Sequence, residues 1–338
     1  MSAVNVIVPC YKSAPYLPRF LASLEAQAFR DVEYLFIDDG SPDNSGEVVE
    51  RHARQSRLRM RVVRKVNGGV ASAWNRGVEE STSPLIAFAD PDDELYPNYL
   101  STLVETLEST RADIAVAQYA RNYEFRRPLL DRLFRFQNDL AGYRGGAAIE
   151  DQPQILTNAF IAPWTRLYRR EVFANPGVRA PEPSFLYCDL MFFLRIHCQP
   201  GLRVASTDEV VYNYRIRKGS YTTTLDERIF DADRMFGETF AFIRSLGTYE
   251  RFEKELEFSY VLHAGLGVFV KLLRANGVDH GQGAHLIADR LEARFPSWRT
   301  NPYLQKSQPL KRAALRLAGC PRLMKAAASG ATLFPGAA

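Results

Sequence analysis

The sequence has little cysteine. Four residues among 338 are widely scattered and form no Cys-x-x-Cys pair, which argues against a disulfide framework and against a structural zinc site. We expect reduced thiols, as in a cytosolic protein. The cysteines are Cys10, Cys188, Cys198 and Cys320.

Two membrane signals are also missing from the sequence. The residues after Met1 form a short apolar run without a basic leader or a cleavage site, unlike a secretory signal. The longest later apolar stretch, 261–270, contains His263 and is far shorter than the roughly 20 residues that span a bilayer. We therefore expect a cytoplasmic protein that is not integral to the membrane.

Basic charge is in excess only near the C-terminus. The chain has 43 Lys and Arg against 39 Asp and Glu, a net charge of +4, and residues 301–338 hold six of the basic residues and no acidic one. The remainder is therefore at about −2. Such a body lacks the general basicity that binding to a phosphate backbone requires, so we expect no nucleic-acid partner.

Residues 310–318 are typical of a short basic amphipathic helix. The apolar side chains are Leu310, Ala313, Ala314, Leu317 and Ala318, and the basic ones opposite are Lys311, Arg312 and Arg316. Two interpretations stay open: attachment to an anionic membrane surface, at the inner face of the cytoplasmic membrane, or packing against the body with the charges in water.

The first 120 residues alternate short apolar runs with helix-period segments. The runs at 4–8, 32–37 and 85–89 are typical of strands buried on both faces. Repeated strand and helix with short connections predicts an α/β fold with a mostly parallel sheet wrapped by helices. Binding sites on such sheets lie at the carboxyl ends of the strands.

The helical period becomes continuous beyond about residue 225. We therefore predict a sheet-based domain over 1–224, with halves at 1–120 and 121–224, and a helical C-terminal region over 225–338. Within the second half, the stretch from Arg121 to Gly146 is rich in arginine and aromatic residues. It is either a loop over the site or a helical insertion.

Three carboxylates stand within four residues directly after the run at 85–89, in the sequence Asp90-Pro91-Asp92-Asp93. Like charges this close repel one another unless something neutralises them. Mg²⁺ or Mn²⁺ would do so, because hard cations prefer carboxylate oxygens. The alternative is a solvated acidic turn in which Asp93 caps the helix near Pro97. A second acidic turn, Asp38-Asp39, ends the run at 32–37, so both turns should meet at one crevice.

An ordered series of motifs carries a resemblance. The motifs are Val6-Ile7-Val8-Pro9-Cys10-Tyr11, Ile37-Asp38-Asp39-Gly40-Ser41, Asn67-Gly68-Gly69-Val70, Asn75-Arg76-Gly77 and Asp90-Pro91-Asp92-Asp93. In this order they resemble family 2 of the inverting glycosyltransferases, which have the GT-A fold. The resemblance is to members of the bacterial polysaccharide or capsule type. The resemblance covers about 3–120 well and continues more loosely to about 224.

The resemblance implies roles for the first half. Pro9 and Tyr11 match positions that hold the base of a nucleotide diphosphate sugar, with Tyr11 stacking on it. Asp39 matches a carboxylate that accepts a hydrogen bond from the base, although it is also suited to closing the turn. Asp92 matches a direct ligand of Mn²⁺ or Mg²⁺, and Asp90 matches a contact to ribose, or to the metal through water.

The resemblance also implies roles for the second half. Asp189 matches the general base, and its alternatives are a buried hydrogen-bonded aspartate or a helix cap. Trp164 matches the acceptor side, where it would stack on a sugar, unless it is a core tryptophan. Arg217, Lys218 and Ser220 match a segment over the diphosphate, with a solvated basic loop as the alternative.

Two positions depart from the family pattern. Trp74 stands where members commonly have arginine, which puts the identity of the nucleotide in doubt. Cys188 stands where members have the first acid of a Glu-Asp pair, which leaves Asp189 as the one carboxylate there.

The implied function is transfer of a sugar, with inversion, from a nucleotide diphosphate donor, usually a UDP-sugar, to a hydroxyl of a glycan or lipid-linked glycan. A surface polysaccharide or capsule is the implied setting. One alternative is a sugar-phosphate nucleotidyltransferase, which predicts a Gly-rich, Arg-containing loop where Pro9-Cys10-Tyr11-Lys12 stands. The other is a non-catalytic binder of nucleotide sugars or glycans, which Trp74 and Cys188 suggest.

Overall fold

The computed structural model describes residues 2–124, 143–158, 161–183, 187–217, 230–272 and 279–307. Contacts divide the chain into two compact units, Met1–Ser184 with Cys188–Lys218, and Phe185–Tyr187 with Gly219–Ala338.

Some of the predicted features lie outside the described residues. They are the boundary between 224 and 225, most of the stretch from Arg121 to Gly146, and the amphipathic helix at 310–318. They stay predictions.

The first unit is built on one nine-stranded sheet. Its order is β3-β2-β1-β4-β8-β6-β9-β5, with β7 beside β9. The strands are β1 (Val4–Cys10), β2 (Val32–Asp38), β3 (Arg59–Arg64), β4 (Leu85–Phe88), β5 (Glu94–Leu95), β6 (Ile114–Tyr123), β7 (Ala147–Ala148), β8 (Arg166–Arg169) and β9 (Arg203–Ile216). The ladders β3-β2, β2-β1, β1-β4 and β6-β9 are parallel and hold most of the paired residues. The mostly parallel sheet predicted from the sequence is confirmed.

Helices flank the sheet as the sequence pattern predicts. They are α1 (Leu17–Glu25), α2 (Ser45–Ala53), α3 (Gly69–Glu80), α4 (Tyr99–Thr110), α5 (Ile155–Asn158) and α6 (Cys188–His197). The apolar stripe of α1 is buried, because Leu17, Phe20, Leu21 and Leu24 recur at helical spacing.

The sequence pattern predicts a helix that begins at Pro15 and a strand over 114–117, and the structure moves one boundary of each. Helix α1 begins at Leu17 with a proline in its first turn, two residues after Pro15. Strand β6 continues past Ala117 to Tyr123, because β9 pairs with it as far as Ile216. Its last residues are only partly buried, so the apolar pattern does not mark them.

The second unit is helical over its described residues, as predicted. The helices are α7 (Ala232–Ser245), α8 (Glu253–Tyr260), a π-helix (Val261–Gly267), α9 (Val268–Leu272), α10 (His280–Arg294) and α11 (Pro302–Lys306). The π-helix lies close to α10, because a Cβ on Gly265 would stand 3.1 Å from Leu291 Cδ2. Among the described helices, none combines the length and the apolar character needed to cross a bilayer.

Gly77 lets α3 lie directly on β1. A Cβ at this position would stand 2.3 Å from Ile7 Cγ2. We expect Gly77→Ala to lower the free energy of unfolding by about 1–3 kcal/mol, because the sheet cannot give way without strain. Urea unfolding would measure the loss.

The matched control is Gly145→Ala, since a Cβ there meets no atom of the described residues within 4 Å. Its effect should stay within about 0.5 kcal/mol. Equal unfolding midpoints for the two variants would contradict the close-packing argument.

Candidate active site

The candidate site lies where β1, β2 and β4 end. These strands are neighbours and parallel, so the loops that follow them leave the sheet at one edge. The Asp39 N–H donates to the carbonyl oxygen of Cys10 at 2.9 Å, which joins the loops after β1 and β2. On the other side of β1, the Ala89 N–H donates to the carbonyl oxygen of Ile7 at 3.0 Å.

Tyr11 is the exposed aromatic residue of this edge. It follows β1 directly, and 48% of its surface is exposed, whereas Cys10 beside it is buried. Pro9, the second-last residue of β1, is half-buried and pairs in register with Ile37. An exposed ring at this place is suited to stacking on a flat ligand.

Asp39 is buried and strongly hydrogen-bonded. Its Oδ1 accepts from Lys65 Nζ at 2.6 Å and from the Gly68 N–H at 3.0 Å, and its Oδ2 accepts from the Gly69 N–H at 2.7 Å. Asp39 therefore fastens the loop that leads into α3. A carboxylate has about four lone-pair sites, so these three bonds leave one acceptor position.

Lys65 was missed in the sequence analysis. The signal for it is its place, directly after β3 and just before Asn67-Gly68-Gly69. It brings a cation to the carboxylate of Asp39. Trp74 itself is buried and stacks on Phe192, with ring centroids 5.9 Å apart.

The three carboxylates after β4 lie together. One ligand oxygen from each of Asp90, Asp92 and Asp93 falls within 4.8 Å of the others. Asp90 and Asp92 are half-buried, whereas Asp93 is 1% exposed. An all-carboxylate set of this kind fits Mg²⁺ or Mn²⁺.

Asp93 does not cap the following helix, so the structure does not support that alternative. Helix α4 begins at Tyr99, with Asn98 before it. The Asp93 carboxylate accepts instead from the Tyr212 hydroxyl at 2.9 Å and from the Arg215 N–H at 2.8 Å, both on β9. A strand far along the chain competes for Asp93 and supplies better-placed donors.

The site holds more negative charge than it neutralises. Desolvation, and then the charges of Asp92 and Asp189, raise the pKa of Asp90 to about 8. Burial, and then the charges of Asp90 and Asp92, raise the pKa of Asp93 well above its ordinary value. A divalent cation here would oppose these shifts by favouring the ionised carboxylates.

Arg217 supplies the positive charge that reaches Asp92. Its Nε and Nη2 both donate to Asp92 Oδ2, at 3.0 and 2.8 Å. Its Nη1 donates to the Tyr16 hydroxyl at 3.0 Å, and the guanidinium lies 4.3 Å from the centre of the Tyr16 ring. The sequence analysis missed Tyr16. Lys218 and Ser220, the other predicted diphosphate contacts, lie outside the described residues.

Asp189 lies in the first turn of α6 and is half-buried. Its Oδ1 accepts from the Leu190 N–H at 2.8 Å. Its charge is one cause of the raised pKa of Asp90, so the candidate base lies within electrostatic reach of one candidate metal ligand. Cys188, which precedes it, is buried.

Trp164 lies in the core. It is 3% exposed and stacks on Tyr212, with ring centroids 4.1 Å apart and planes 14° apart. This burial corrects the expectation that Trp164 stacks on a sugar. The alternative, a core tryptophan, describes its place.

Comparison with known proteins decides the family. Residues 5–175, just over half of the chain, match the family model described as glycosyl transferase family 2. The chain belongs to this family. The prediction made from the motif series is confirmed.

Two relatives of this family 2 glycosyltransferase come from Bacillus subtilis (strain 168). EpsH, which bears a provisional glycosyltransferase name, is 26% identical over 280 residues, 78% of this chain and 76% of EpsH. EpsJ, named an uncharacterized glycosyltransferase, is 29% identical over 219 residues, 65% of this chain and 62% of EpsJ.

Two solved structures share the fold. S. aureus TarS 1-349, in complex with UDP-GlcNAc, aligns with a TM-score of 0.59 at 17% identity, over 98% of this chain and 88% of that one. The mannosyltransferase PcManGT from Pyrobaculum calidifontis, in complex with GDP-Man and Mn²⁺, aligns with a TM-score of 0.55 at 18% identity, over 99% and 88%. The GT-A fold predicted from the sequence is confirmed.

The raised pKa of Asp90 predicts a pH dependence of stability in metal-free protein. In the unfolded chain an aspartate ionises near pH 4, whereas folded Asp90 keeps its proton until about pH 8. Between these values the folded state binds more protons, so raising the pH favours unfolding. Asp90→Asn removes this contribution, and the variant should lose less stability than the wild type between pH 5 and pH 8.

Urea unfolding in chelator at both pH values measures the difference. The control is Asp151→Asn, an exposed aspartate of the same unit, which should follow the wild type. A wild type and an Asp90→Asn variant with the same change in midpoint would contradict the shift.

Proposed function

We propose that this family 2 glycosyltransferase is a metal-dependent, inverting enzyme that moves a sugar from a UDP-sugar to a hydroxyl of a glycan. The observation that carries the proposal is the convergence of Asp90, Asp92 and Asp93 at the carboxyl edge of the parallel strands, with Asp189 close enough for its charge to raise the pKa of Asp90. The ligands of the two solved relatives, UDP-GlcNAc with TarS and GDP-Man with Mn²⁺ in PcManGT, support this donor class and metal.

Asp90 and Asp92 would hold the cation. Both are half-buried, so they are open to a ligand as well as near each other. When bound, Mn²⁺ or Mg²⁺ supplies positive charge to the diphosphate as its bond to the anomeric carbon breaks. Desolvation, and then the charges of Asp92 and Asp189, raise the pKa of Asp90, and a bound cation would favour its ionised form.

Arg217 would serve the leaving diphosphate. Its guanidinium already lies beside Asp92, held by the Tyr16 hydroxyl and ring. A guanidinium binds phosphate oxygens through paired hydrogen bonds. We place Arg217 between Asp92 and the diphosphate, with Lys218 and Ser220 as predicted further contacts.

Asp189 would act as the base. Inversion by direct displacement needs a carboxylate on the acceptor side of the sugar, placed to take the proton from the attacking hydroxyl. Asp189 lies at the N-terminal turn of α6, near but not among the candidate metal ligands. Cys188, which stands before it, cannot replace the first acid of the usual pair.

The donor base would lie against Tyr11 and Pro9, with Asp39 accepting a hydrogen bond from it. Asp39 keeps one acceptor position beside the ammonium group of Lys65. This arrangement offers an acceptor and a donor side by side, as the imide edge of uracil needs.

The acceptor and the setting follow from the sequence resemblance. We propose a glycan or lipid-linked glycan of a bacterial surface polysaccharide or capsule, with the enzyme in the cytoplasm and its basic C-terminal helix at the membrane surface. This helix lies outside the described residues.

The test is donor binding with and without metal. Thermal unfolding is followed for a panel of nucleotide diphosphate sugars, with Mn²⁺ or with chelator, because a ligand that binds the folded state raises its stability. We expect UDP-sugars with Mn²⁺ to give the largest shift and Asp92→Ala to abolish it, while Asp151→Ala keeps it. Equal donor binding by chelator-treated wild type and by Asp92→Ala would sink the proposal.

The base assignment predicts a separation of turnover from binding. Asp189→Asn should lower turnover by about 10²–10⁴-fold, because the acceptor hydroxyl loses its proton acceptor, and should leave donor affinity near the wild-type value. Initial rates of sugar transfer and isothermal titration with the donor measure the two quantities.

The control for this prediction is Cys188→Ala, which changes the neighbouring side chain and leaves the carboxylate. It should keep turnover within a few-fold of the wild type. Near-normal turnover of Asp189→Asn would remove Asp189 from the role.

Trp74 and Cys188 favour one alternative, a binder of nucleotide sugars that has lost catalysis. A catalytic protein should release nucleotide diphosphate slowly from its donor in a metal-dependent way, even without acceptor. A binder would show the thermal shift and no release.

A further inference from the structure

One hydroxyl group of strand β9 contacts both ends of the acidic loop Asp90–Asp93. The Tyr212 hydroxyl donates to Asp93 Oδ2 at 2.9 Å and accepts from the Asp90 N–H at 3.1 Å. It therefore touches both ends of the loop. The Arg215 N–H, also on β9, donates to Asp93 Oδ1 at 2.8 Å.

Asp93 differs from Asp90 and Asp92 in its burial and in its hydrogen bonds. It is 1% exposed, and each of its oxygens accepts a hydrogen bond from β9. Asp90 and Asp92 are half-buried in the same loop. A carboxylate whose two oxygens are bonded and buried is suited to anchor a loop, whereas its half-buried neighbours remain accessible to a cation.

The ring and the backbone of Tyr212 are both fixed by their neighbours. It is fully buried, it stacks on Trp164 at 4.1 Å, and it lies 5.9 Å from the ring of Tyr99. Its backbone pairs with Leu95 in the β5-β9 ladder, just beyond the loop. The Tyr99 hydroxyl lies 3.0 Å from the carbonyl oxygens of both Phe88 and Trp164, which ties the stack to the end of β4.

We propose that Tyr212 is a positioning residue, which holds the loop so that Asp90 and Asp92 converge on the cation, with Asp93 as the anchor of the loop and not a ligand. The inference rests on the proposed function, since it assumes a cation at Asp90 and Asp92. It also gives Trp164 a role, because the stack fixes the ring that carries the hydroxyl.

The test is the affinity of Mn²⁺ alone, measured by electron paramagnetic resonance of the free ion, without donor. Tyr212→Phe keeps the ring and removes the hydroxyl, which leaves a buried carboxylate oxygen and a backbone N–H without their partner. We expect the affinity to fall by about tenfold, the effect of losing one such hydrogen bond.

Tyr34→Phe is the matched control. Tyr34 is also fully buried, and its hydroxyl has no hydrogen-bond partner among the described residues. Its Mn²⁺ affinity should equal that of the wild type. A purely structural Tyr212 would lower the stability of Tyr212→Phe and leave its Mn²⁺ affinity unchanged, and that result would overturn the proposal.

A second variant, Asp93→Asn, carries the test if Tyr212→Phe does not fold. It should weaken Mn²⁺ binding by a similar factor, and the two changes together should be less than additive, because both remove the same bond. If Asp93→Asn binds Mn²⁺ as weakly as Asp92→Asn does, Asp93 is a ligand. Tighter Mn²⁺ binding by Tyr212→Phe would lead to the same conclusion. Either result would overturn the proposal.

Failure of the proposed function has a different signature. In that case the wild type itself binds no Mn²⁺, whereas failure of the positioning role requires a wild type that binds the ion and a Tyr212→Phe variant that binds it equally well.

Discussion

Repulsion among carboxylates at the end of β4 is the constraint to which the rest of the first unit responds. One carboxylate oxygen from each of Asp90, Asp92 and Asp93 lies within 4.8 Å of the others, at a partly desolvated edge of the sheet where like charges repel strongly. The protein opposes this repulsion in two ways, with the guanidinium of Arg217 on Asp92 and with the two donors of β9 on Asp93. The pKa values of Asp90 and Asp93 nevertheless stay raised, through desolvation first and then through the charges of the neighbouring carboxylates.

Strand β9 organises this response because of its place in the sheet. It pairs with β6 in a parallel ladder and with β5 in an antiparallel one, so it passes directly beside the acidic loop. Three residues near its end, Tyr212, Arg215 and Arg217, then reach the loop within hydrogen-bonding distance. The second half of the domain therefore shapes the site that the first half carries.

Buried aromatic residues pack against the side chains that hold the acidic loop. Trp164 stacks on Tyr212, and the Tyr99 hydroxyl lies against the end of β4. On the other face, Trp74 stacks on Phe192 of α6, the helix that carries Asp189. Trp74 thus packs against the helix that carries the candidate base, while Lys65 brings a cation to Asp39.

Much of the fold could be predicted from the sequence, because apolar periodicity reports burial residue by residue. The buried runs predicted β1, β2 and β4, and parallel pairing then placed Asp39 and Asp90 at one edge. The local pattern left Asp93, Trp164 and Arg217 with more than one interpretation each. For these three residues the local sequence allows several partners, and the choice is made by β9.

The amino-acid sequence alone determined the family, the parallel core and the identity of the acidic loop, because these depend on the order and spacing of neighbouring residues. Only the tertiary structure decided which carboxylate is anchored and which are accessible. That choice depends on hydrogen-bond donors on β9, about 120 residues along the chain from Asp93. Local sequence patterns cannot indicate contacts between residues so far apart, because only the folded sheet brings these strands together.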